Sequence, residues 1–183
     1  MKIVNSTPNV LKDKLDIAIQ KAVADYMADY KLNNPNFSRK RVLTMDKVIK
    51  LLLSMQGGSL KKELYDAGIA VTASAFVQQR DKIPWTVFEE VFEHFNNLCK
   101  DTKTYKGYKV LAIDGTTVNM ARNPKLSSFV KNDSTPKGYN QLHVNPLYDV
   151  LNKTYQYCVV QPQPQQDEVG ALIFTKKGVV KSI

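Results

Sequence analysis

The sequence predicts an α+β chain: an all-helical N-terminal domain over residues 1–100, then an incomplete second domain over residues 101–183. Three observations carry this prediction. Apolar residues recur at three- and four-residue spacing through the first hundred positions, the period of helices. After Gly107 the period changes to short apolar runs and β-prone segments bounded by turn residues, the pattern of strands. The net charge of +9 is concentrated in two blocks. Residues 31–66 hold eight basic and three acidic groups, and residues 101–153 hold eight and four, with a near-neutral helical stretch between them.

The elements follow in order. Thr7-Pro8 is a helix start, with the threonine as N-cap and the proline at the first helical position. Leu11, Leu15, Ala18, Ala22, Tyr26 and Tyr30 then mark one apolar face, and Asn33-Asn34-Pro35-Asn36 ends the helix. A second helix begins near Thr44, carries Val48, Ile49, Leu51, Leu52 and Met55, and stops at Gly57-Gly58. Ser59 caps a short helix through Asp66, closed by Gly68, and Thr72 caps another to about Asp81. Pro84 opens the last helix, whose Val87, Phe88, Val91, Phe92, Phe95 and Leu98 form an apolar stripe; Trp85 is read with it as core.

In the second domain, Tyr108–Ile113 reads as a buried strand bounded by Gly107 and Gly115. Residues 121–138, rich in Asn, Pro, Ser and Lys, read as a loop, and residues 139–150 and 154–161 as a hairpin. Asp167-Glu168 should start a helix. One strand, a hairpin and a helix start leave a sheet edge uncovered, so the domain reads as cut short.

Composition excludes several classes. Two cysteines, Cys99 and Cys158, are too few for a metal knuckle or a disulfide framework and read as small buried hydrophobes. The N-terminus turns polar too early for a signal peptide, and the longest apolar run, Val48–Met55, is interrupted by Lys50 and too short to span a bilayer. A soluble, cytoplasmic protein without a membrane partner is expected. The basic blocks suit a polyanion, since each neutralised phosphate releases counterions; a solvated basic surface is the competing reading.

Residues 60–81 have the layout of a helix-turn-helix, with a short helix, Ala67-Gly68-Ile69, and a second helix bearing Gln78, Gln79 and Arg80. Gln and Arg side chains can face base edges with paired donors and acceptors, and Lys61 and Lys62 would lie near phosphates. An ordinary helical hairpin has the same outline. Arg39, Lys40 and Arg41, in a loop ahead of a helix, suit the DNA backbone, against a plain solvated charge run. Asp114 ends an apolar run and precedes Gly115-Thr116-Thr117; a strand-borne carboxylate can hold a divalent cation, and a strand-end turn is the competing role. Asp149 is explained by the hairpin turn and Glu168 by a helix start, while His143 has no second His or Cys nearby in sequence.

Together these segments resemble the cut-and-paste DDE transposases of the group named for insertion sequence four. The matching stretches are FSRKRVLTMDKVIKLLLSMQGGSLKKEL (37–64), SAFVQQRDKI (74–83), VLAIDGTT (110–117), GYNQLHVNPLYDVLNKTY (138–155) and QPQPQQDEVGAL (161–172). The resemblance implies a helical DNA-binding domain followed by an RNase H-like catalytic domain, in which three acids hold two Mg²⁺ ions for strand cleavage and transfer. The first acid maps to Asp114, as catalytic residue and metal ligand. The other two should lie beyond the hairpin and its following helix, so this chain is expected to be an inactive N-terminal fragment. Double-stranded DNA at transposon ends is the implied partner, with a homodimer or full-length transposase as protein partner. A non-catalytic DNA-binding or regulatory protein built on the helical domain is the alternative.

Overall fold

The computed structural model describes residues 8–30, 42–99, 103–167 and 170. The chain is mixed α+β, and it divides into two compact units after Cys99.

The first unit contains α1 (Pro8–Tyr30), α2 (Met45–Ser54), α3 (Leu60–Asp66), α4 (Ala73–Arg80) and α5 (Thr86–Leu98). Its apolar residues close two clusters. Ile19, Ala22 and Tyr26 of α1 meet Met45 and Ile49 of α2 and Val87 and Val91 of α5. Leu43 joins Val48 and Leu51 of α2, Leu64 of α3 and Phe76 of α4 in the other. α2 feeds both clusters from adjacent positions, because Val48 and Ile49 are one residue, or about 100°, apart on a helix. Along α1 the expected Ala18, Ala22 and Tyr26 are buried, Ile19 joins them, and Leu11 is exposed.

Local chemistry sets the helix ends. Ser59 Oγ accepts from the Lys62 N–H at 3.4 Å and Thr72 Oγ1 from the Ala75 N–H at 3.1 Å, so both expected caps are made. α3 ends on Gly68 at φ 66°, with the Gly68 N–H bonded to the Tyr65 carbonyl and the Ile69 N–H to the Leu64 carbonyl. That is the Schellman pattern, which satisfies the last carbonyls of the helix and turns the chain sharply. Glu63 has a part that its sequence context did not suggest. Its Oε1 accepts from the Gln56 N–H at 3.0 Å and the Gly58 N–H at 2.8 Å, tying the α2–α3 loop down.

The second unit is a five-stranded antiparallel sheet: β1 (Leu111–Ile113), β2 (Thr116–Met120), β3 (Phe129–Asn132), β4 (Thr135–Asp149) and β5 (Thr154–Pro162). Every other strand pairs with the long β4. Ile113 lies opposite Leu147 and Thr116 opposite Val144, so β1 and β2 share one register and form a single interrupted edge. The interruption falls at Asp114-Gly115, opposite Asn145 and Pro146, and a proline has no N–H for a ladder bond. β5 and β3 run along the other edge of β4, since Asn140 faces both Met120 and Phe129.

Gly115 bounds β1 as expected, and it leaves no room for a side chain: a Cβ there would come within 2.7 Å of the His143 ring. Two expectations are corrected here. The run Tyr108–Ile113 is not a buried strand: only residues 111–113 are extended in the sheet, and Tyr108, Val110 and Leu111 are exposed. Residues 121–138 are not all loop, because β3 and the first residues of β4 form a second hairpin there. The expected hairpin over 139–161 is present as β4 and β5. A short 3-10 turn follows at Gln163–Gln165, and Asp167 Oδ1 accepts from the helical Gly170 N–H at 2.8 Å, the geometry of an N-cap. Glu168 and the residues after Gly170 lie outside the described residues.

Candidate nucleic-acid interface

The α3–turn–α4 pair is fixed from beneath. Leu64 and Phe76 are buried against α2, and Ile69 and Val71 of the turn pack on the same cluster. What remains outward decides which residues can meet a partner. Lys61 and Lys62 are exposed at the start of α3, and Ser74, Gln78 and Arg80 are exposed on α4. Gln78 Nε2 donates to Ser74 Oγ at 3.4 Å, a long bond that leaves its carbonyl oxygen available. Lys62 is held by Asp66 one turn along, whose hydrogen bond and charge raise the lysine pKa above its ordinary value. It stays fully charged, but its charge is partly answered.

Two expected base readers change status. Gln79 is buried, three residues after the buried Phe76 and on the same face of α4, so it belongs to the packing of the pair. Arg80 bonds Asp81 through both Nε and one terminal nitrogen, at 3.2 and 3.0 Å, so meeting a base requires breaking that pair. Arg39, Lys40 and Arg41 lie outside the described residues. Trp85 is not core: it is 70% exposed, just ahead of α5, and Tyr65 on the outer side of α3 is 84% exposed. The hydrophobic period of α5 starts at Val87, and Trp85 stands outside it. A depression of about 340 Å³ where α2 meets the α3–α4 turn is bordered by Lys47 and Lys50. Lys47 donates to the Val42 carbonyl and Lys50 pairs with Asp16, so both cations already have a partner.

In the sheet unit, Asp114 is exposed at the break between β1 and β2. It lies across from Pro146, and alternation along β4 puts Pro146 and Asp149 on opposite faces. The two carboxylates therefore do not converge. Asp149 is fully engaged in its turn: Oδ1 accepts from the Leu151 and Asn152 N–H groups, and Oδ2 accepts from Asn152 Nδ2 at 2.8 Å. That is the hairpin role expected of it. His143 is buried on β4 beside Gly115, on the face opposite to Asp114. Two-metal chemistry needs several carboxylates around ions about 4 Å apart. Among the described residues no group of three His, Cys, Asp or Glu side chains could hold a metal, so these residues do not fit a two-Mg²⁺ centre.

The cysteines also differ from expectation. Cys158 is exposed on β5, yet partial shielding by its surroundings still pushes its thiol pKa above the ordinary value, and Cys99 is half-buried. Among the described residues no helix is long and apolar enough to cross a membrane. Compared with known proteins, the chain matches no protein-family model, no curated protein and no solved structure.

Proposed function

We propose that this chain is a double-stranded-DNA-binding protein of the transposase type, docking on the duplex through α3 and α4. The observation that carries the proposal is the α3–turn–α4 pair itself. Both helices are N-capped, a Schellman turn fixes their crossing, and Leu64 and Phe76 anchor them to α2. A rigid pair with one short outward helix is what major-groove docking uses. Gln78 is the base-reading residue and Lys61 and Lys62 are phosphate contacts; Arg39, Lys40 and Arg41, which lie outside the described residues, are further phosphate contacts proposed from the sequence. Gln79 is withdrawn from it.

The sheet unit is read as the opening of an RNase H-like domain, supported by an acid at the interrupted edge of an antiparallel sheet and by the sequence resemblance. A second reading, DNA binding without strand cleavage by the described residues, is favoured by one specific observation: Asp149 spends its carboxylate on the β4–β5 turn. No step through Mg²⁺ is derived from these residues.

The test is fluorescence anisotropy of a labelled duplex titrated with the full chain across a salt series. Replacing Arg39, Lys40 and Arg41 with Ala should flatten the log–log salt dependence by about one unit per lost phosphate contact. Gln78→Ala should weaken one sequence over others and leave the slope unchanged. If Lys61→Ala/Lys62→Ala and the loop variant both bind like the native chain, docking through this unit is wrong.

A further inference from the structure

The segment from Arg122 to Lys137 holds four cations (Arg122, Lys125, Lys131 and Lys137) against one acid, Asp133. Read as a sequence it is a polar loop, but its structure is built. Asn140 of β4, 1% exposed, lies beneath it. Its Oδ1 accepts from the Asn123 N–H at 2.6 Å, and its Nδ2 donates to the Asn123 carbonyl and to Ser128 Oγ, each at 3.0 Å. The Asn123 side chain in turn accepts from the Lys125 N–H at 3.1 Å. Gly138 has φ 68°, and a Cβ there would come within 2.3 Å of the Phe129 ring, so the ring lies directly on the glycine. The Arg122 guanidinium lies over that ring, 5.6 Å from its centroid, and donates Nε–H to the Lys137 carbonyl at 2.9 Å.

The effect is to orient one guanidinium through its Nε–H and the ring while its two terminal nitrogens stay on an exposed side chain. None of the four cations is ion-paired among the described residues. An oriented guanidinium fork suits phosphate oxygens, and it loses less freedom on binding than a free arginine. Three lysines within the same hairpin and its leading loop add charge that a single small anion would not use. A polyphosphate backbone would.

We infer that the 122–137 hairpin and loop form a second phosphate-contacting surface for duplex nucleic acid, separate from the helical pair and organised by Asn140 and the Gly138–Phe129–Arg122 contacts. The inference rests on the DNA-binding reading for its choice of partner, but not on α3 and α4. The experiment is the same anisotropy salt series on the full chain, with two sets of variants kept apart. Lys125→Ala/Lys131→Ala/Lys137→Ala should lower the magnitude of the salt slope by roughly two to three units, at about 0.9 per phosphate contact. Arg122→Lys keeps the charge but removes the fork and weakens the ring contact; it should lose affinity severalfold with the slope nearly unchanged. A triple variant with native slope, or an Arg122→Lys variant with native affinity, overturns the inference while leaving the helical docking standing. Slope lost in the triple variant, with native binding in the Lys61/Lys62 and Arg39–Arg41 variants, upholds the hairpin and sinks the helical docking. A native chain that binds no duplex at low salt overturns both.

Discussion

The two units bury different balances of residue, although the sheet also encloses Leu147 and the helices enclose Glu63 and Gln79. In the helical unit the buried set is dominated by apolar side chains, with Phe76, Ile19, Met45, Ile49, Val48 and Val87 almost wholly enclosed. In the sheet unit the central strand buries Asn140, His143, Asn145 and Asp149, while Val118, Met120, Tyr155 and Val160 are exposed. The polar residues of β4 are not an accident of composition. Asn140 pins the 121–128 loop, Asn145 donates to Gln161 Oε1 at 3.2 Å, and Asp149 organises the β4–β5 turn. One unit is held by the exclusion of water from apolar surface and the other largely by directed hydrogen bonds. The first should respond to lost volume and the second to lost donors and acceptors.

The largest effect should come from the helical unit. Phe76→Ala removes a ring at the centre of the Leu43–Leu64 cluster and should cost about 3–5 kcal/mol. Amide hydrogen exchange should quicken across α2, α3 and α4, while β4 and β5 keep their protection. Uniform loss of protection in both units would show that they do not respond separately, and the comparison would fail.

A smaller effect is expected from polar groups. Asn140→Ala strips partners from the Asn123 N–H, the Asn123 carbonyl and Ser128, and should cost about 1–3 kcal/mol, read as faster exchange in residues 121–141. Glu63→Ala is its counterpart in the helical unit, freeing the Gln56 and Gly58 N–H groups, with a cost of about the same size. If Asn140→Ala leaves exchange unchanged, the loop is held by something other than that side chain, and the organising role given to Asn140 falls with it.

How much of this was legible in the sequence follows the same division. Helices advertise themselves by period and by end chemistry: Ser59, Gly68 and Thr72 each do what their residue type suggests. Gln79 reads as an outward residue because glutamine is usually at the surface, although its i+3 spacing from the buried Phe76 puts it on the packed face. The sheet was harder because its signals are non-local. Gly115 marks the end of β1 as it reads, but the His143 ring that leaves no room for a Cβ there, and the return of the same register in β2, are visible only in the fold. β3 was hidden in a segment whose Asn, Pro and Lys content reads as loop, since its pairing partner is what makes it a strand. Asp114 reads as a strand-borne or strand-end acid, and it lies one residue past β1; which face it shares depends on its register with Pro146, and no local pattern carries that.

The finest test sets the same substitution in the two units. Val87 is fully buried among Ile19, Ile49 and Val91, whereas Val118, on the outer edge of the sheet, is 47% exposed. Threonine is close to valine in shape, so Val→Thr exchanges one methyl for a hydroxyl and changes little else. At position 87 that hydroxyl enters an apolar cluster, and burying it without a good partner costs about 1–3 kcal/mol. The helical backbone could relieve part of this, because a helical threonine can donate to the carbonyl one turn back; the lower end of the range is therefore expected. At position 118 water solvates the hydroxyl and the β-branched shape still suits the strand, so the change should stay within about 0.5 kcal/mol. Chemical denaturation of the two variants, followed by far-ultraviolet circular dichroism, supplies both numbers. Equal losses at the two positions would mean that Val118 is covered in the folded protein, and the apolar surface of the sheet would then be an interior face and not an open one.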